Sequence, residues 1–328
     1  MFLFGDIGWQ AAVMFFVVLG ALIGLNELSR RSKLWGLGLF VAVPLVLTVF
    51  VWPHTAGEGS STGTWFHWVK VYSALAGCLG FMAIRYYPRL AANRWVLLFP
   101  PLILAINIAE AVTRDFEVAG LTEGIHDGVY MVPGIWNTMN GVAGILNIVT
   151  ICGWMGIYIS RDKTKDMIWP DMLWFWIIAY DLWNFAYVYN CVGDHAFYAG
   201  AALLLSCTIP AFFLRKGAWL QHRAHTLAFW MMFTMAFPAF VSTSQFSVDA
   251  SHDPTALFVV SALSLAANVA VVIYQARRIV SRRLNPLTQE LYTDHAKFRE
   301  VVESIPGRGD DAVETAAPAV AGARGSVG

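Results

Sequence analysis

Lysine and arginine are distributed so unevenly along this 328-residue chain that they constrain its topology before any chemistry is considered. Nine long apolar runs divide it. Their flanks and loops carry, in order, zero, three, zero, three, one, three, zero, three, zero and eight basic residues, with Lys70 inside a run. Positive charge accumulates on the cytoplasmic side of multi-span proteins. The alternation therefore predicts that each run crosses the bilayer once, with the N-terminus extracytoplasmic and the C-terminus cytoplasmic.

A chain that is 57% hydrophobic and 13% charged is no soluble globular domain. The expected class is an all-α, polytopic helical bundle in the bacterial inner (plasma) membrane. The runs are continuously apolar and about twice the length of a barrel strand, which excludes a β-barrel. Spans are placed near 7–28, 34–53, 66–86, 94–113, 135–159, 170–191, 196–214, 219–241 and 254–277. This gives a membrane domain over 1–278, a cytoplasmic amphipathic segment over 279–305 and a disordered tail over 306–328. Trp9, Trp52, Trp65, Trp68 and Trp136 at outer ends, and Trp35, Trp95, Trp154, Trp169 and Trp219 at inner ends, read as interfacial belts. The first run lacks the preceding basic residues of a signal peptide and reads as a retained span. Cys78, Cys152, Cys191 and Cys207 have no close paired spacing, so neither a disulfide framework nor a zinc knuckle is expected.

Three carboxylates fall within or at the ends of runs. Glu27 precedes Arg30 and Arg31, and Glu110 precedes Arg114 by four residues, so both are expected to form interfacial pairs. Asp181 has no base within reach in sequence and lies at mid-span, where an ionisable group marks a functional site. Tyr180, Asn184 and Tyr187 share its neighbourhood. Asn137, Asn140, Gly144 and Asn147 make a polar stripe on the preceding span, and Asn107 joins Glu110 on the fourth. Facing stripes would form an outward-opening polar pocket, although Asn and Gly taken singly also serve as helix contacts. Lys70 is expected to snorkel, with a counter-ion role toward Asp181 or Glu110 as the alternative.

His54, His67, His126, His195 and His252 fall at the outer side. The pairs His126-Asp127, Asp194-His195 and His252-Asp253 could hold a divalent metal or perform acid/base chemistry if loops converge. His222 and His225, in the basic inner loop, are expected to face solvent.

The run Tyr180-Asp181-Leu182-Trp183-Asn184-Phe185-Ala186-Tyr187, continuing to Cys191, together with Asn26-Glu27-Leu28-Ser29, resembles an uncharacterised bacterial family of polytopic membrane proteins carrying a domain of unknown function. The resemblance implies no activity or site.

The leading expectation is a small-solute or ion-coupled permease that is not an enzyme and has no cofactor. Asp181 would bind a proton or cation, and Tyr180, Asn184, Asn140 and Asn147 would line the path. The alternatives are an intramembrane metal-assisted hydrolase or lipid-modifying enzyme using the outer His and Asp residues, and a sensor or scaffold binding a lipid or pigment. The expected partners are the lipid bilayer and a small solute or cation, not nucleic acid.

Overall fold

The computed structural model describes residues 2–57, 60 and 62–305; the expected disordered tail over 306–328 lies outside them. The chain is mostly helical. In order come α1 (Trp9–Arg31), α2 (Lys33–Thr55), α3 (Trp65–Tyr86), α4 (Val96–Ala119), α5 (Ile135–Val149), α6 (Trp174–Cys191), α7 (Tyr198–Phe213), α8 (Trp219–Ala236), α9 (Pro254–Arg282) and the short α10 (Ala296–Glu303). Among the described residues α1, α2, α3, α4 and α9 are long and apolar enough to cross a membrane, and α7 is a shorter apolar helix. These helices point to a membrane location.

Local chemistry sets several boundaries. Thr64 caps α3, and Asp253 caps α9 by accepting from the N–H groups of Thr255 and Ala256 ahead of Pro254. Around Pro44, which has no N–H to give, α2 winds through two π-helical turns, Gly38–Ala42 and Leu47–Val51. The run expected over 135–159 is helical only to Val149. Gly153 follows with a φ of 61°, and the remaining apolar residues bury against protein instead of extending the helix. Conversely, α4 runs six residues past its expected end at 113 and carries Arg114 and Asp115 into the fold.

Contacts between helix ends define two faces of the bundle. At the N-terminal face Phe4 bridges to Ala250, the Tyr189 hydroxyl donates to the Leu3 carbonyl, and Thr55 donates to the Met235 carbonyl. At the opposite, C-terminal face Arg85 donates to the carbonyls of Arg30 and Lys165, and Arg30 pairs with the buried Asp166 at 2.7 Å. Two small antiparallel hairpins cap the bundle: β1 (Gly124–His126) with β2 (Val129–Met131), and β3 (Tyr158–Ile159) with β4 (Met167–Ile168).

The core lies among α3, α4, α5, α6, α8 and α9, whereas α1 and α2 are peripheral, with Phe16, Leu45 and Phe50 exposed. Helix α5 approaches α4 and α6 so closely that a Cβ at Gly144 would come within 2.4 Å of Val112 and 2.6 Å of the Trp183 indole nitrogen. A small residue is required there.

The segment after α9 docks on the rest of the protein. Buried Asp171 accepts from the backbone N–H groups of Leu291 (2.7 Å) and Tyr292 (3.1 Å), while α10 buries Phe298, Val301 and Val302 against protein. The tryptophan belt also needs revision. Trp9, Trp35, Trp65 and Trp95 are exposed as expected of interfacial anchors, but Trp52, Trp169 and Trp219 are fully buried and act in packing.

Candidate functional site

An interior cavity lies between α3, α4, α6, α7 and α8. Its polar lining is His67, Lys70, Asn107, Tyr180, Asn184, Tyr187, His195 and Arg223, and the rest is apolar, including Phe66, Leu203 and Trp230. It offers about 50 Å3 to water-sized spheres, room for a few waters or one very small solute. A second void of about 30 Å3 lies beside it. Asn107, Tyr180, Arg223 and Leu227 line both, so these four form the waist between them. The two linings follow α3 from Phe66 to Phe81, about 22 Å at 1.5 Å per residue, against a hydrocarbon core of about 30 Å.

Arg223 is the principal residue that sequence reasoning misplaced. Counted among the bases of an inner loop, it is buried within α8, where it donates to the Tyr180 hydroxyl and the Asn184 carbonyl oxygen, each at 3.2 Å. Its Nη1 has no hydrogen-bond partner. The signal was available, because the expected span of 219–241 already places Arg223 one turn inside its end. The neighbouring histidines are corrected likewise. His222 and His225 do not face solvent but are fully buried, at 2.7 and 3.1 Å from the Asn26 amide.

Lys70 does not snorkel. It pairs with Glu110 at 2.8 Å and donates to the Asn107 carbonyl at 2.7 Å. Glu110 therefore pairs across helices and not with Arg114, which instead meets Glu117 and Asp127. Glu27 pairs with Arg30 and Arg31, as its spacing predicts.

A family model matches residues 5–304. The chain belongs to DUF5692, a family of unknown function. No curated protein and no solved structure matches it. The family match takes in the docked segment after α9 as well as the helices that carry the resemblance in sequence.

In this DUF5692 chain the expected site residues separate into three groups. Tyr180, Asn184, Tyr187, Asn107 and Lys70 meet at the cavity, with Glu110 behind Lys70. Asp181 is outside the lining. Its Oδ2 accepts from the Thr208 hydroxyl of α7 at 2.7 Å, its Oδ1 has no hydrogen-bond partner, and it lies within electrostatic reach of Arg223. The Asn stripe of α5 points elsewhere. Asn140 donates to buried Asp115 at 2.8 Å and accepts from Ser264, Asn137 donates to Cys191, and buried Asn147 has neither amide atom paired. Asp115, read in sequence as an outer-loop acid, is thus the centre of a buried cluster that Cys191 completes.

The His and Asp residues considered for a metal disperse. His126 bonds the Thr122 carbonyl, Asp127 pairs with Arg114, Asp253 caps α9, and His252 packs edge-on against Tyr130. Asp194 lies in a polar cleft with Asp249 and His252, while His195 turns into the cavity, its ring 5.4 Å from that of His67. Among the described residues, no three His, Cys, Asp or Glu side chains converge to hold a metal ion. The bland and functional readings of the stripes thus divide by helix: α5 makes helix contacts, and α6 faces a void.

Proposed function

We propose that the protein is a nine-span permease for a small polar solute, with the N-terminus outside and the C-terminus in the cytoplasm. The cavity is the solute site and the Arg223 waist is the gate. One observation carries this reading: two adjacent voids that share four lining residues follow most of the length of α3 through the bundle core, and polar groups are gathered in the larger one. A buried polar atom without a partner costs about 1–3 kcal/mol. Asn107 Oδ1, Tyr187 Oη, His195 Nε2 and Arg223 Nη1 all lack hydrogen-bond partners, and all belong to residues lining this one cavity. A bound polar solute would satisfy them. Asp181, beside the site and not in it, would act as a proton-carrying group that alters the field at Arg223.

Access to the voids can be tested without knowing the solute. The four native cysteines are buried, so the wild type gives a low labelling background. Ala199→Cys in the outer void should react with a membrane-impermeant thiol reagent from the N-terminal face. Leu104→Cys in the second void should react from the C-terminal face. Reaction of Ala199→Cys alone would describe a one-sided receptor pocket and overturn the permease reading, as would no reaction at either position.

A further inference from the structure

We infer that the cavity binds a small organic anion, a short-chain monocarboxylate, with Arg223 as its anchor. The inference rests on the permease reading and adds the class of solute. Its first basis is charge. The cavity lining contains Lys70 and Arg223 and no Asp or Glu. Glu110 balances Lys70 from behind. Among the described residues Arg223 has no carboxylate within salt-bridge distance; its bonded partners are the neutral Tyr180 and Asn184. Of the other acids near the lining, Asp181 is tied to Thr208 on another face and Asp194 lies 3.8 Å from His195 Nε2. A buried guanidinium held only by neutral groups is costly, and an anion arriving at its free edge offsets that cost.

The second basis is donor geometry. Two of the three guanidinium nitrogens of Arg223 are used, which leaves Nη1 for a ligand. The Tyr187 hydroxyl is also unused. The Lys70 ammonium has three protons and two partners, Asn107 and Glu110. These donors suit the two oxygens of a carboxylate, the planar partner that Arg recognises best. The third basis is the remaining wall. Val188, Leu203, Leu227 and Trp230 give an apolar surface for a short alkyl tail, and the volume admits only a few heavy atoms beyond the carboxylate. A cation would meet two positive side chains in this space, and a sugar would not fit.

Three probes of similar size and different charge test the inference on purified full-length protein: propanoate, propanamide and propylammonium at matched ionic strength. Tryptophan fluorescence, with Trp230 in the cavity wall, and the thermal midpoint are the readouts. Propanoate is expected to give a saturable change in both, at concentrations about tenfold lower than propanamide, and propylammonium none. Arg223→Gln should abolish the preference for propanoate, and Arg223→Lys should retain part of it. Equal responses to propanoate and propanamide, a preference for propylammonium, no saturable response to propanoate, or an unchanged preference in Arg223→Gln would each overturn the inference. If Arg223→Gln does not fold, the three-probe comparison on the wild type still decides. Propanoate binding with Leu104→Cys unreactive would keep the anion site and remove the permease. Two-sided cysteine labelling without propanoate binding would do the reverse.

Discussion

At the scale of single residues, the buried polar groups of α5 and α6 do different work. Asn140 is fully buried and supplies a hydrogen bond to Asp115, which is itself fully buried. Asn140→Ala should destabilise the protein by about 1–3 kcal/mol, read as a lower thermal midpoint in detergent; a wild-type midpoint would mean that Asp115 finds another donor. Asp181→Asn should behave oppositely, since the amide oxygen can still accept from Thr208 and no ionisable group remains buried. Its midpoint should equal or exceed the wild-type value, with any proton dependence of transport lost. A clearly lower midpoint would make Asp181 a structural partner of Thr208. Sequence alone marked Asp181 because it had no base nearby along its own helix. It could not mark Arg223 as the nearby charge, because that proximity is between helices.

At the scale of elements, α3 and α4 are held together by Lys70 and Glu110, whose side chains are only 8% and 9% exposed. Breaking such a pair leaves one uncompensated charge, so Lys70→Met should cost about 3–5 kcal/mol, and adding Glu110→Leu should recover most of it. A double-mutant cycle in the same detergent measures that recovery; additive losses would reject the coupling. The helix α10 offers a pH readout. Hydrogen bonds from Lys216 and Lys297 hold the Glu300 carboxyl at about 2, below its ordinary 4.5. A depressed carboxyl stabilises the docked state fully above about pH 4.5, and this contribution is lost as pH falls through about 2. Hydrogen-exchange protection in residues 296–303, taken relative to the intrinsic exchange rate at each pH, should therefore fall on acidification across that window, and Glu300→Gln should show the lower protection already at neutral pH.

The elements also show what the sequence made legible. Continuous apolar runs located the helices well wherever lipid or core faces an entire helix, as in α3 and α9. They failed where apolar residues cover another part of the chain: 151–159 reads like the end of a span because it is buried under the segment after α9, not because it is helical. Charge alternation bears on orientation across the bilayer and not on which bases are buried. It misread Arg223 and Arg114 because a count along the chain treats every base near a helix end as solvated. Of the site, the α6 contribution was visible as Tyr180, Asn184 and Tyr187. The part supplied by α8 was hidden, since a basic residue one turn inside a helix looks like an interfacial anchor until its neighbours are known.

At the scale of the whole molecule, a well-packed core of α3 to α6, α8 and α9 is flanked by α1 and α2, whose outward faces are apolar. In the permease proposed above, a solute passes only if the contacts at one face part while those at the other hold. Cross-linking the two faces separately should therefore stop exchange while leaving binding intact. The C-terminal face is fastened by parts distant in sequence: Arg30, Arg85, Asp166, Asp171 and the stretch from Pro286 to Ile305.

That fastening has a consequence for biosynthesis. The surface around Cys152, Ile168 and Leu173 is covered by Leu291, Tyr292 and α10, which the ribosome makes after every long helix. At about 5–20 residues per second, the stretch from 286 to 305 takes on the order of 1–4 s to synthesise, after every long helix has already been made. Until it arrives, the C-terminal face stays uncovered, and quality-control proteases can meet an unfinished chain there. Nascent chains stalled before residue 290 should be degraded faster than chains stalled after 305, so that residues 286–305 set the yield of a protein whose long helices are already made.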